Sequence, residues 1–206
     1  MPNGKLHYEC KYLNGLKNGK GREYYNDKII FEGEYKNGQK WCGKFYNLMN
    51  NEYYEIKEGN GYIKKFHESH LNFEGYIKNG KENGKGKYYD YNNGRLIYDG
   101  EYLNGKWHGR GIRYDYNGTK FDGIYLYDHK LKGKEYINGR LEYEGEYLFN
   151  KKWNGKGYDE NGNIIYELKN GNGKFKDYDE YGKLYFEGEY LNGKLNGRGK
   201  EYNNEK

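Results

Sequence analysis

Leu96 to Tyr114 reads LIYDGEYLNGKWHGRGIRY, and Leu184 to Tyr202 reads LYFEGEYLNGKLNGRGKEY. The two stretches align over their whole length without a gap, so the chain is built on an internal repeat. The first part, Tyr98-Asp-Gly-Glu-Tyr102, alternates with period two. That predicts a strand with Tyr98, Gly100 and Tyr102 on one face and Asp99 and Glu101 on the other. Asn104-Gly105 follows, and both central residues of a type I′ hairpin turn need positive φ, which Asn and Gly supply. The second strand is Gly109-Arg-Gly111-Ile-Arg-Tyr114. An unbroken register from the turn puts Tyr102 opposite Trp107, Gly100 opposite Gly109 and Tyr98 opposite Gly111. Rings would then lie across from glycines that leave room for them. Asp99, Glu101, His108 and Arg110 charge the other face, where opposite-sign pairs contribute about 0.2–1 kcal/mol each.

Working outward, the aromatic that opens each unit recurs at Tyr8, Phe31, Tyr54, Phe73, Tyr98, Phe121, Tyr143, Tyr166 and Phe186. Nine units, 19 to 25 residues apart, fill residues 1–206 as a single repeat domain. Asn-Gly turns recur at Asn14-Gly15, Asn37-Gly38, Asn79-Gly80 and Asn192-Gly193, and Asn117-Gly118, Asn138-Gly139 and Asn161-Gly162 close units. Two units are short, YEIKEGNGYIK from Tyr54 and YELKNGNGKFK from Tyr166; with the stretches around 47–51 and 67–70 they mark bends or loops. The fold predicted is all-β: an elongated, single-layer antiparallel meander, a solenoid of about nine β-hairpins. Eighteen strands at roughly 4.8 Å would span about 85 Å, with exposed edges at both ends that invite self-association.

Composition agrees with a packing system other than an aliphatic core. There are 29 Tyr and 33 Gly, and no Ala or Val at all. Tyr, a large apolar body with a polar tip, has to carry the packing. The aromatic share of 19% argues against disorder despite the polarity. A net charge of +5 comes from 36 basic and 31 acidic residues that alternate along the chain, a solvated face with no nucleic-acid footprint. Cys10 and Cys42 form no CxxC pair and no disulfide framework. MPNGKLHYECKY lacks the apolar core of a signal peptide, and no run reaches membrane-spanning length, so the expected location is cytoplasmic, at most peripheral to a membrane.

No motif points to catalysis, a cofactor or a metal. The GxG pairs, such as Gly109/Gly111 and Gly197/Gly199, lack the helix start or GK[ST] ending of a phosphate loop. His67-Glu68-Ser69-His70 has the wrong spacing for a zinc helix and no third ligand nearby. The paired carboxylates Glu32/Glu34, Asp99/Glu101, Glu144/Glu146 and Glu187/Glu189 repeat identically, whereas acid–base catalysis needs one pair in differing environments. Ser69 and Thr119 are the only hydroxyls besides Tyr, and the cysteines read as small packed residues. The aromatic face remains as the candidate partner surface: Tyr35, Trp41, Tyr98, Tyr102, Trp107, Tyr147, Trp153 and Tyr190, with the three Trp at one repeated position.

The unit Y-x-G-x-Y-x-N-G-x-x-x-G-x-G-x-x-Y resembles the MORN repeat, approximately YxGxWxxGxxHGxGxxxY. Tyr98, Gly100, Tyr102, Gly105, His108, Gly109 and Gly111 match it, with Tyr in place of Trp at Tyr102. Cys10, Ile56 and Leu168 depart from it at the first Gly. The resemblance implies an extended antiparallel sheet with an aromatic groove, and a non-catalytic scaffold that tethers proteins to one another or to membranes. Three readings follow: a protein-interaction scaffold, a phospholipid-associated adaptor using Lys85, Lys87, Lys106 and Arg110, and an antitoxin-like component of a bacterial pair. Glycan binding would need secretion.

Overall fold

Alternation sorts each first strand into a ring face and a charged face, and the computed structural model gives that sorting its geometry. It describes residues 4–50, 52–67, 70–178 and 183–203. The chain divides into two compact units, Met1–Lys106 and Trp107–Lys206. The first contains β1 (Tyr8–Leu13), β2 (Leu16–Tyr25), β3 (Lys28–Lys36), β4 (Gln39–Tyr46), β5 (Tyr53–Ile56), β6 (Gly61–His67), β7 (His70–Lys78), β8 (Lys81–Tyr89) and β9 (Leu96–Leu103). The second contains β10 (Lys106–Tyr114, entering from the first), β11 (Thr119–Leu126), β12 (His129–Ile137), β13 (Arg140–Leu148), β14 (Lys151–Tyr158), β15 (Ile164–Leu168), β16 (Gly173–Tyr178), β17 (Leu184–Leu191) and β18 (Lys194–Glu201). β1 to β5, β6 to β9, β10 to β15 and β16 to β18 each pair antiparallel in chain order, and no barrel closes.

The organising element is a ladder of glycines running across the strands. In the first unit Cys10, Gly21, Gly33, Gly43 and Ile56 are successive partners, as are Ile63, Gly75, Gly86 and Gly100. In the second, Gly111, Gly123, Gly133, Gly145, Gly155 and Leu168 follow one another. Phe31, Phe73, Phe121, Tyr143 and Phe186 each lean along their own strand onto the glycine two residues ahead. Rings at the two ends of Tyr-x-Gly-x-Tyr therefore meet edge to face, with centroids 5.3 Å apart in Phe31–Tyr35, Tyr98–Tyr102 and Phe121–Tyr125. Phe121–Tyr147, at 5.2 Å and 90°, carries the pattern between units of the repeat. Such pairs are worth about 0.5–1.5 kcal/mol beyond the area they bury.

This geometry corrects the unbroken register. In β17–β18 Tyr190 does pair with Leu195, but Gly188 then pairs with Gly199, not Gly197; in β7–β8 Gly75 pairs with Gly86, not Gly84. In the GxG pairs opened by Gly84, Gly109 and Gly197 the first glycine lies in the left-handed region, with φ of 81°, 74° and 76°, whereas Gly155 stays in the ladder. In those three it serves the bulge, and at Gly86 and Gly199 it is the second glycine that makes room for a ring.

Both sheet breaks fall in the short units. Between β5 and β6 only the bridge Lys57–Asn60 remains, and between β15 and β16 only Lys169–Asn172. There Ile56 and Leu168 replace the ladder glycine and are almost fully buried, so aliphatic side chains fill the space that ring and glycine fill elsewhere. Of the expected loop around 67–70, His67 and His70 pair across β6–β7, while Glu68 and Ser69 lie outside the described residues.

On the opposite face the residue after each opening aromatic forms a row of alternating sign. Every odd strand gives an acid (Glu9, Glu32, Glu55, Glu74, Asp99, Asp122, Glu144, Glu167, Glu187), and every even strand but β10 a base. Arg22–Glu32 at 2.7 Å and Lys134–Glu144 at 3.5 Å are examples. The exception is Ile112, opposite Asp122. Ile112→Lys should complete the row and raise the thermal midpoint by up to about 3 °C, read by circular dichroism.

Candidate functional site

The eight candidate aromatics separate by burial. Tyr35, Tyr98, Tyr102 and Tyr147 are buried, their rings engaged with Phe31, Phe73, Phe121 and one another. That assigns them to packing. Trp41, Trp107, Trp153 and Tyr190 are half-buried. The three Trp do not share a position. Trp107 is the second residue after its turn and meets Tyr125 edge to face at 5.7 Å. Trp41 and Trp153 are third after theirs, because Tyr35 pairs with Lys40 and Tyr147 with Lys152, leaving each Trp as an extra residue in the strand.

The position Trp107 fills is held elsewhere by Lys17, Lys40, Glu82, Lys130, Lys152 and Leu195. Charged groups thus lie on the ring face, a feature the sequence reading placed only on the opposite face. Their stems cover the rings and their ammonium groups lie over ring faces: Lys40 is 4.9 Å from the Phe31 centroid and Lys130 4.7 Å from that of Phe121. Such contacts contribute about 0.5–2 kcal/mol each. Lys40 finds Glu23 and Lys130 finds Glu135, while Glu82 takes Lys65.

The largest such group is in the second unit. Lys152 Nζ lies 2.5 Å from Glu142 Oε2 and 3.4 Å from Glu135 Oε1, and Lys130 Nζ lies 2.7 Å from Glu135 Oε2. The Tyr166 hydroxyl donates to Glu142 Oε1 at 2.9 Å. Glu142 faces inward because it is a bulge residue: Tyr136 pairs with Leu141 and Glu135 with Tyr143, so Glu142 has no partner across the strand. The corresponding extra residues are Ile30, Asn72, Ile97, Ile165 and Tyr185. Glu142 is the one carboxylate among them, and it is 5% exposed. Burial works to raise the Glu135 carboxyl, but Lys152 and Lys130 together outweigh it and hold it at about 2. Burial raises Glu142, and Lys152, shared with Glu135, does not offset it. Here is a carboxylate pair in differing environments, at residues other than the repeated outer pairs.

A second feature lies at the turns. The first turn position is Asn14, Asn37, Asn79, Asn104 or Asn192 in five units, but Tyr127 and Phe149 in two, with φ of 50° at both. Bulky side chains avoid this region. The Asp128 carboxylate accepts from the Trp107 N–H at 2.8 Å and the Asn150 side chain from the Lys130 N–H at 2.7 Å, tying each turn to the one before it. Tyr127 is 47% exposed and Phe149 76%, and Leu126, Leu131 and Leu148 beside them are exposed too. These turns carry no Asn-Gly signal, but counting six residues from Phe121 and from Tyr143 finds them.

Among the described residues no group of His, Cys, Asp and Glu is placed to hold a metal ion, and no helix is long and apolar enough to cross a membrane. The family model described as MORN repeat matches residues 8–28, 31–41, 73–95, 98–120 and 186–204. No curated protein matches the chain.

Proposed function

Because the MORN-repeat model matches this chain at five places between residues 8 and 204, we propose that it is a non-catalytic repeat scaffold that holds a protein partner along the turn edge of β11 to β14. The observation that carries this is the pair of exposed aromatics, Tyr127 and Phe149, held in left-handed turns at a cost of about 1–2 kcal/mol each by general backbone energetics. Backbone strain kept in an exposed turn is a feature of binding surfaces. Locked turns present those rings, with Leu126, Leu131 and Leu148 exposed beside them in sequence, at low entropic loss on binding.

The test is the double variant Tyr127→Asn and Phe149→Asn. Asn accepts the turn conformation, so the variant should be more stable by up to about 1–2 kcal/mol per turn in urea unfolding. In affinity capture at high salt, the wild type should retain a discrete protein that the variant loses. A protein retained equally by both would move the contact elsewhere. Retention only of lipid vesicles, lost at high salt, would replace the scaffold by a membrane adaptor.

A further inference from the structure

We propose that the cleft over Glu142 binds an organic cation, the ammonium or guanidinium head of a small amine or of a basic side chain. The cleft holds about 280 Å³. The buried Glu142 lines it together with Tyr158, Tyr178, Asp159, Glu160 and Arg140. Arg140 is already directed to Glu160 at 3.4 Å. Asp159 accepts from the Asn163 side-chain amide and from the backbone N–H groups of Asn163 and Asn161, which hold its carboxyl below the usual carboxylate range.

The compensation of the buried charges is lopsided. Lys152 and Glu135 line a different cavity, of about 530 Å³, in which Glu142 takes no part. Glu135 has two ammonium groups, whereas Glu142 has a share in one. A carboxylate has room for about four hydrogen bonds, and two are supplied to Glu142, by Lys152 and Tyr166. A cation entering the cleft would complete its neutralisation from the side Lys152 does not reach, between aromatic rings that favour cations. Tyr178 reports the same field: its phenol is raised by burial and then by the Glu142 and Asp159 carboxylates. The fold does not require the charge, since Ile30, Ile97 and Ile165 occupy the corresponding bulges.

The experiment is calorimetric titration of the full chain with n-butylamine and, separately, with an acetylated Gly-Lys-Gly amide, n-butanol being the uncharged control. Saturable binding of either cation, absent with butanol, is the expected result. Binding of the amine alone identifies a small-molecule site, and binding of the peptide alone a side chain of a partner. Glu142→Gln should weaken it about tenfold or more, the worth of a charge-assisted hydrogen bond. Glu142→Ile, the residue of the sibling bulges, should abolish it with the thermal midpoint retained. Binding should also weaken on acidification, as Glu142 takes up a proton. The double turn variant should bind the cations normally, so failure here is separable from failure of the scaffold reading. No saturation by either cation, or binding unchanged in both Glu142 variants, overturns the proposal.

Discussion

Gly133→Ala should destabilise the fold by about 3 kcal/mol, a fall of about 6–10 °C in thermal midpoint. Its backbone is in an ordinary strand conformation, so the penalty is purely one of space. A Cβ there would sit 2.6 Å from the Asp122 carbonyl oxygen, 2.7 Å from Gly123 Cα and 2.7 Å from Phe121 Cζ. Two of those three obstacles are backbone of the paired strand. Relief requires the strands to part or Phe121, fully buried, to leave its place against Tyr125 and Tyr147. Gly139→Ala is the control. It lies in a turn at φ +81° with nothing near its Cβ position, so it should lose only the left-handed preference, about 1 kcal/mol. Urea unfolding of both distinguishes the cases; equal losses would mean that the rings do not pack onto the glycine ladder.

That contrast marks what the sequence reveals. Period-two alternation from Tyr98 to Tyr102 finds the strand, the ring face and the charged face, because it reflects a property of every extended backbone. Asn-Gly finds the turns for the same kind of reason, a local φ preference. The bulges are different. Gly197 and Gly199 look equivalent in the repeat, yet one takes positive φ and the other lies under Phe186, and only the paired strand distinguishes them. A bulge also resets the alternation. Counting outward from Tyr143 places Glu142 on the face of Glu144, whereas the bulge turns it inward to Lys152. The inward lysines were hidden likewise, since Lys40 and Trp107 occupy one structural place with opposite chemistry. Burial of Tyr98 and Tyr102 depends on rings arriving from neighbouring strands, Phe73 among them, which composition does not locate.

The buried ion cluster should give the other large effect. Lys152→Met should cost about 3–5 kcal/mol near neutrality, because it strands the buried Glu142 carboxylate and leaves Glu135 with Lys130 alone. The pH dependence separates the two. Glu135, held at about 2 against an ordinary 4.5, contributes stability that is present above 4.5 and is lost as pH falls toward 2. Glu142 has the opposite sign. Its raised folded value means that its contribution is greatest below 4.5 and is lost as pH rises through that value. In Lys152→Met both carboxyls move upward, so the deficit should be largest at neutral pH and should shrink on acidification as they protonate. Adding Glu142→Ile to Lys152→Met should restore most of the stability, since Glu135 keeps Lys130 at 2.7 Å and the bulge regains the residue of its siblings. Urea unfolding at neutral and at mildly acidic pH measures all three proteins. A Lys152→Met deficit that does not depend on pH would mean that the loss is one of packing over the Tyr143 and Phe175 rings, not of charge.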